Sequence, residues 1–224
     1  MKSLRGSLAP LVVLLGCGQV LGIDEAHVDP SLLEPGQAGA LDAAGAAGSS
    51  EAVPSLCESY CDAVVSSCSG AQAQYLNREA CLATCPDFPE GASGDSQGNT
   101  VNCRLTYALK APIEPYTYCT WAGPGGDGKC GSNCQGFCSV MMQTCTQKTT
   151  QKGADFFASE SACLKTCAAL PDVGDYSASN AMLQRGADHV QCRIYHVGAA
   201  VQGDPAIHCP HAMGQKLCLD PAAP

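Results

Sequence analysis

Residues 57–68 read CESYCDAVVSSC, and residues 134–145 read CQGFCSVMMQTC. In both stretches, three cysteines are separated by three and then by six residues. At about 100° of rotation per residue, these spacings place the three sulfurs on one face of an α-helix. The sequence therefore predicts the same cysteine-lined helix at two places in the chain.

The cysteines after residue 53 divide into two sets of eight whose short intervals are identical. Residues near them also match, since ACLATC resembles ACLKTC and CRLTY resembles CRIYH. This pattern indicates an internal duplication. We assign residues 54–131 to repeat 1, residues 132–219 to repeat 2 and residues 220–224 to a tail. The two sets are Cys57, Cys61, Cys68, Cys81, Cys85, Cys103, Cys119 and Cys130, and Cys134, Cys138, Cys145, Cys163, Cys167, Cys192, Cys209 and Cys218.

The predicted fold class is all-α, with about three helices in each of two small, disulfide-rich modules. The second helix of each module carries a CxxxC pair, and Asn77 and Ser159 are its expected N-caps. A third helix is expected over residues 100–109 and over residues 182–200. No stretch alternates between apolar and polar residues in the way that a strand requires.

Disulfide bonds are the expected role of the paired cysteines. Aromatic residues make up only 5% of the chain, which also contains 24 glycines, so the core available to each module is thin. Small exported domains commonly compensate for a thin core with disulfides. Zinc ribbons, ferredoxins and metallothioneins use CxxC, CxC or CC spacings, and none of these occurs in the sequence.

The N-terminus has the charged, apolar and small-residue order of a signal peptide. Its apolar run is too short to span a membrane as a mature helix. The LLGC at residues 14–17 resembles the lipobox of bacterial lipoproteins. That resemblance implies removal of residues 1–16 and attachment of diacylglycerol to the Cys17 sulfur. The alternative is ordinary secretion, with Cys17 as an incidental residue of the apolar region.

Residues 17–53 are interpreted as the lipidated cysteine and a flexible tether rich in alanine, glycine and proline. The formal net charge of −9 falls to −11 when Lys2 and Arg5 leave with the signal peptide. A chain this acidic lacks the basic surface that nucleic acids require. The expected partners are therefore a membrane, reached through the lipid anchor, and an unknown envelope protein or surface polymer.

Two antiparallel helices with facing CxxxC pairs resemble the helical hairpin of α-hairpinins. The resemblance implies the disulfides Cys57–Cys85, Cys61–Cys81, Cys134–Cys167 and Cys138–Cys163. For the remaining cysteines we expect the third to reach the third helix and the last two to pair with each other. This assignment gives Cys68–Cys103, Cys119–Cys130, Cys145–Cys192 and Cys209–Cys218.

Three histidines of repeat 2 stand where repeat 1 has aromatic residues. His196, His208 and His211 correspond to Tyr107, Tyr118 and Trp121. Because all three positions differ together, the three side chains are expected to meet in space. Three imidazoles favour a zinc or copper site, and Asp188 or Asp204 is a possible additional ligand.

A hydrogen-bonded polar cluster is the alternative interpretation of these histidines, in which they hold the C-terminal loop to the third helix. His27, in the tether, and His189, on the other side of the third helix, are interpreted as solvated. Arg104 and Arg193 each follow the sixth cysteine of their repeat. A salt bridge or a contact with helix C-terminal carbonyls is expected for both, with an anion site as the alternative.

The whole repeat is similar to tandem eight-cysteine repeats of uncharacterised secreted bacterial proteins, including those with CRxYH and HCPHA elements. The similarity implies a surface or periplasmic module. No nucleophile motif or carboxylate pair indicates an enzyme. The expected function is a non-enzymatic, lipid-anchored binding module of the bacterial cell envelope, in either leaflet of the outer membrane. The alternative is a lipoprotein that binds zinc or copper through its histidine cluster.

Overall fold

The computed structural model describes residues 53–150, 156–183, 187–215 and 217–218. These residues contain ten α-helices and two 3₁₀ turns but no strand, which confirms the all-α prediction. The helices are α1 Leu56–Ser67, α2 Arg78–Thr84, α3 Val101–Lys110, α4 Pro115–Ala122, α5 Asn133–Thr144, α6 Gln147–Thr150, α7 Glu160–Cys167, α8 Ala178–Leu183, α9 Val190–Gln202 and α10 Pro205–Ala212. Within the described ranges, no helix has both the length and the apolar character needed to cross a bilayer.

Each repeat begins with a disulfide-linked helical hairpin. Helix α1 starts with a capping box between Ser55 and Glu58, and α5 starts with the same device. Asn77 caps α2 and Ser159 caps α7, as predicted. Cys57–Cys85 and Cys61–Cys81 hold the first hairpin, and Cys134–Cys167 and Cys138–Cys163 hold the second. These four bonds are the pairs that the hairpin resemblance implies.

A second helical hairpin completes each repeat, and one of its helices was not predicted. Helices α3 and α4 form it in repeat 1, and α9 and α10 form it in repeat 2. Helices α4 and α10 both begin with proline, at Pro115 and Pro205. Proline suits the first turn of a helix because it has no N–H to leave unbonded there. The three helices expected from the sequence in each repeat do not include either of these segments.

The other four disulfides differ from the expected pairing. The structure joins Cys68 to Cys119 and Cys145 to Cys209, and it joins Cys103 to Cys130 and Cys192 to Cys218. The expected bonds Cys68–Cys103, Cys119–Cys130, Cys145–Cys192 and Cys209–Cys218 are therefore wrong. The third cysteine of each repeat lies at the C-terminal end of the first helix and meets the unpredicted helix there, so it bonds the seventh cysteine. The sixth lies in the first turn of the third helix and bonds the eighth.

Helix α9 begins at Val190, later than the predicted residue 182. His189 is its N-cap, and its Nδ1 accepts a hydrogen bond from the Cys192 N–H at 3.1 Å. His189 is buried, so its interpretation as a solvated residue was wrong. Thr100 has the equivalent role in repeat 1, where its hydroxyl accepts from the Cys103 N–H.

The two repeats pack together within one compact unit, residues 51–224. Helix α2 of repeat 1 lies against α9 of repeat 2, and one cluster of buried apolar side chains includes residues from both repeats. Hydrogen bonds between the repeats include Ala178 N–H to Ala73 O at 2.6 Å and Asn99 Nδ2 to Ser139 Oγ at 2.7 Å. All eight disulfides, by contrast, join cysteines of the same repeat.

Candidate metal site

The second hairpin of repeat 2 carries the three histidines singled out in the sequence. His196 lies on α9, and His208 and His211 lie three residues apart on α10. Residues three apart on a helix project from neighbouring positions on one face. Because α9 and α10 pack against each other, this face of α10 is turned towards His196.

The three imidazole rings meet, as the sequence analysis expected. One nitrogen from each ring lies within 4.8 Å of the other two. The Nδ1 atoms of His196 and His208 are 3.5 Å apart, and these two rings are stacked with centroids 5.7 Å apart. His211 approaches both rings edge-on. His196 is buried, whereas His208 and His211 are half-buried, so the cluster reaches the surface on the α10 side.

Repeat 1 contains an aromatic cluster in which two of the three ring pairs match the histidine pairs, whereas Tyr118 and Trp121 are tilted at 59° where His208 and His211 are edge-on at 86°. Tyr107 and Tyr118 are stacked with centroids 5.7 Å apart, and Trp121 approaches Tyr107 edge-on at 5.0 Å. The His211 ring lies edge-on to His196 at 5.1 Å. The scaffold therefore brings three rings together at the same positions in both repeats, and the repeats differ in the chemistry of the rings.

The lysines around the two clusters differ as well. Lys110 and Lys129 place their ammonium groups 5.1 and 5.9 Å from the Tyr107 ring centroid. When the two repeats are aligned by their cysteines, the residues of repeat 2 that correspond to these lysines are Ala199 and Leu217. Two cations make favourable cation–π contacts with the aromatic rings of repeat 1. The aligned positions of repeat 2 hold neutral residues.

Equivalent arginines fix the ring-bearing helices. Arg104 Nε donates to Gly123 O at 3.1 Å, just after α4, and Arg193 Nη1 donates to Ala212 O at 3.1 Å, the last residue of α10. Arg193 also forms a salt bridge with Asp188. The expected carbonyl contact and salt bridge are both present. Each arginine holds the end of the helix that carries two of the three rings.

Burial shifts the pKa values of Arg104 and of the tyrosines near it. Its guanidinium is fully buried, and burial lowers its pKa, while the nearby Tyr60 and Tyr75 act in the opposite direction. Burial also disfavours the charged form of Tyr75 and so raises its pKa to about 12. Tyr60 donates its hydroxyl hydrogen bond to Ala122 O at 2.6 Å, at the C-terminus of α4. Repeat 2 has Phe137 at the position of Tyr60, so its α10 terminus depends on Arg193 instead.

The two carboxylates that the sequence suggested as further ligands have other roles. Asp188 Oδ1 accepts hydrogen bonds from Arg193, and Asp204 Oδ1 accepts from the Ile207 N–H as the N-cap of α10. Neither belongs to a group of potential ligands among the described residues. The suggestion that Asp188 or Asp204 joins the histidines was therefore wrong.

Sequence reasoning missed a second group of potential ligands next to the first. The sulfurs of Cys192 and Cys218 lie within 4.8 Å of each other and of a His196 nitrogen. A signal for this group is present in the sequence, because Cys192 and His196 are four residues apart and share a helix face. Cys17 and His27 lie outside the described residues.

Comparison with known proteins identifies a similarity over one part of the chain. A family model described as the BfoA family C-terminal domain matches residues 32–133. The match spans less than half of the chain and ends between Cys130 and Cys134, where repeat 2 begins. No curated protein and no solved structure matches the chain. Its function is therefore argued from its own residues.

Proposed function

We propose that this chain is an exported, lipid-anchored protein that binds one zinc or copper ion through His196, His208 and His211. The observation that carries the proposal is the convergence of three imidazole nitrogens within 4.8 Å. Tetrahedral Zn–N bonds of about 2.0–2.1 Å require nitrogens roughly 3.3 Å apart. The 3.5 Å between the Nδ1 atoms of His196 and His208 is close to that spacing.

Hydrogen bonding alone explains this arrangement less well. The 3.5 Å between the two ring nitrogens is at the long limit of a hydrogen bond. The neutral residues Ala199 and Leu217 also replace Lys110 and Lys129 of repeat 1. Neutral residues at these two positions remove the cations that face the rings in repeat 1, which favours binding of a cation. Neutral imidazoles are common ligands of both zinc and copper.

The proposed ion is exchangeable and is not needed for folding. Repeat 1 fills the equivalent space with Tyr107, Tyr118 and Trp121 and keeps the same hairpin. The disulfides hold both repeats without a metal. Three protein ligands leave a fourth position for water or an incoming ligand, as in zinc sites that exchange or activate what they bind. These features suit metal capture or delivery, and we propose no catalysis.

Attachment to the bacterial cell envelope is the second part of the proposal. It is supported by the lipobox-like LLGC at residues 14–17 and by the disulfides, which are characteristic of oxidising compartments. Several acyl chains on Cys17 provide stable anchoring. A Cys17→Ser variant should appear in the soluble fraction after cell disruption. Continued sedimentation with membranes would contradict the anchor.

Binding of an envelope protein or surface polymer is a second candidate function. The corner between α3 and α4 exposes Leu109, Ile113 and Tyr116, with 66%, 83% and 74% of each residue accessible. Exposed apolar side chains grouped in this way are typical of interaction sites. An Ile113→Asp, Tyr116→Asp variant should lose an envelope partner that wild type retains after cross-linking on intact cells. Identical cross-linked products from both proteins would remove this candidate.

The metal proposal is tested by equilibrium binding on the exported chain carrying Cys17→Ser. We expect one zinc or copper ion per chain, and at least about 100-fold weaker binding in a His208→Ala, His211→Ala variant. His189→Asn is the matched control, because it removes a histidine of the same repeat but keeps a side chain suited to the N-cap. Negligible binding by the parent, or equal binding by the double variant, would refute the proposal.

A further inference from the structure

The histidine cluster shares one residue with a second group of potential ligands. His196 belongs both to the three-histidine group and to the group formed with Cys192 and Cys218. In the structure these two cysteines form a disulfide, so their sulfurs are not available as thiolates. Reduction of that single bond would place two thiols beside an imidazole that already faces a candidate metal position.

We infer that reduction of the Cys192–Cys218 disulfide creates a second, tighter metal site made of Cys192, Cys218 and His196. The inference rests on the proposed function in that His196 is a ligand in both states. A dithiol reductant supplies the two electrons and two hydrogens: its own thiols become a disulfide, the Cys192–Cys218 bond breaks, and each sulfur receives a hydrogen. Metal binding then releases the two thiol protons to solvent.

Burial of these residues favours the metal-bound form after reduction. Cys192 and Cys218 are fully buried and His196 is 2% exposed. Two thiolates without a counter-charge are strongly disfavoured in such surroundings. A divalent ion neutralises both charges, so ionisation of the thiols and binding of the metal occur together. Thiolate ligands also select for zinc and for Cu(I).

The two ligand groups are expected to differ in affinity and access. The oxidised site uses His208 and His211, which are half-buried on α10, and exchanges its ion through that side. The reduced site uses sulfurs with no exposed surface, so its ion is held more tightly. The redox state of one disulfide would therefore decide whether the protein releases or retains its metal.

Repeat 1 provides an internal control for this inference. Its Cys103–Cys130 disulfide corresponds to Cys192–Cys218 and lies next to Tyr107 instead of a histidine. A phenol is a poor ligand for zinc beside an imidazole. Reduction of the repeat 1 bond yields two thiols without the third ligand. The inference thus predicts a thiolate site in repeat 2 and none in repeat 1.

The test uses Co(II) as a spectroscopic probe on the exported chain carrying Cys17→Ser. A water-soluble phosphine is added in steps. Each phosphine reduces one disulfide to two thiols and becomes a phosphine oxide, with one water molecule supplying the oxygen and the two hydrogens. Thiolate-to-cobalt charge-transfer absorption is recorded at each step, and free thiols are alkylated and located by mass spectrometry. We expect the charge-transfer absorption to grow with the fraction of Cys192 and Cys218 that is reduced. That fraction is measured by alkylation of parallel samples without metal. Affinity for Co(II) should rise at least about 10-fold over the oxidised chain.

Two variants assign the absorption to its ligands. His196→Tyr, which installs the repeat 1 residue, should lose the thiolate absorption while the same cysteines are reduced. His208→Ala, His211→Ala should lose binding by the oxidised chain but keep the thiolate absorption after reduction. Failure of the proposed function, seen as no binding by the oxidised parent, is therefore distinguishable from failure of this inference.

Three results would overturn the inference. The first is reduction of Cys192 and Cys218 without any thiolate absorption. The second is absorption that persists unchanged in His196→Tyr. The third is a disulfide that stays intact until the protein unfolds, as followed by circular dichroism. If the inference is right, a Cys192→Ser, Cys218→Ser variant that retains the other seven disulfides should show no thiolate absorption. His196→Tyr alone decides the question where the serine variant does not fold.

Discussion

His196 and His208 stack with ring centroids 5.7 Å apart, the same separation as between Tyr107 and Tyr118 at the equivalent positions of repeat 1. The hairpin backbone and its disulfides are common to both clusters. Ring placement therefore follows from the scaffold, and the ability to bind metal follows from the identity of the rings. This separation of roles leads directly to a gain-of-function test.

Replacing Tyr107, Tyr118 and Trp121 by histidine should give repeat 1 a metal site of its own. We expect binding to rise from one to two ions per chain, measured by equilibrium dialysis with metal analysis. The new site should be weaker than the native one, because Lys110 and Lys129 each oppose a cation by roughly 1 kcal/mol at this range.

Lys110→Ala with Lys129→Leu should strengthen the transplanted site about 10-fold or more. The matched control replaces His196, His208 and His211 by tyrosine, tyrosine and tryptophan, which should keep the fold and abolish binding. An unchanged stoichiometry in a folded histidine transplant would mean that ring placement alone does not make the site.

Arg193→Lys should weaken metal binding, whereas Arg104→Lys should not. A lysine ammonium cannot contact both Asp188 and the Ala212 carbonyl in the way the planar guanidinium does. Loss of such a supporting contact typically costs about 10-fold or more in metal affinity. Each variant should lose about 2 kcal/mol of unfolding free energy. Equal metal affinities in the two variants would show that α10 does not depend on Arg193 for its placement.

The stability of the protein should depend on pH through Asp87. Burial raises its pKa to about 6, partly offset by the hydrogen bond that Thr144 donates to it. The folded protein therefore binds this proton more tightly than the unfolded chain. The free energy of unfolding should fall as the pH rises from about 4 to about 6 and remain level above that range.

Asp87→Asn removes this ionisation and keeps an oxygen that accepts from Thr144. Because Asp87 is half-buried, solvent screening reduces the expected gain to about 1 kcal/mol at pH 7, with no gain at pH 4. Urea unfolding of both proteins at the two pH values measures the difference. Identical differences at pH 4 and pH 7 would exclude Asp87 as the source of the pH dependence.

Non-reducing peptide mapping should recover Cys68 linked to Cys119 and Cys145 linked to Cys209. Removing the first of these bonds with serine should cost about 4 kcal/mol, because it closes a loop of 51 residues. Removing Cys61–Cys81, which closes a loop of 20 residues, should cost less. Recovery of Cys68 linked to Cys103 would contradict the fold of the second hairpin.

The sequence was sufficient where a short spacing determines geometry. Cysteines four residues apart share a helix face, and the resemblance to α-hairpinins implied how the first hairpins are paired. Asn77 and Ser159 were predictable as N-caps from their residue type and position. The simultaneous replacement of three aromatic residues by histidines was enough to predict that His196 meets its partners. These features depend on residues close in sequence or on comparison of the two repeats.

The sequence was insufficient where partners are far apart and a helix is short. Helices α4 and α10 have eight residues each and lack a regular apolar stripe, so neither was predicted as a helix. Without them, nothing in the sequence favoured Cys119 over Cys103 as the partner of Cys68. The sequence predicted a salt bridge for Arg193 but did not identify its partner, so Asp188, five residues earlier, was also considered as a metal ligand.

The pairing of every bridged cysteine within its own repeat has a further consequence at the junction after Cys130. A single peptide-bond cleavage between Gly131 and Ser132 would leave two polypeptides without a covalent bond between them. Their association would then become a bimolecular equilibrium, carried by the α2–α9 contact and the hydrogen bonds beside it. The C-terminal fragment, which carries His196, His208 and His211, could then diffuse away from any lipid attached to the N-terminal fragment.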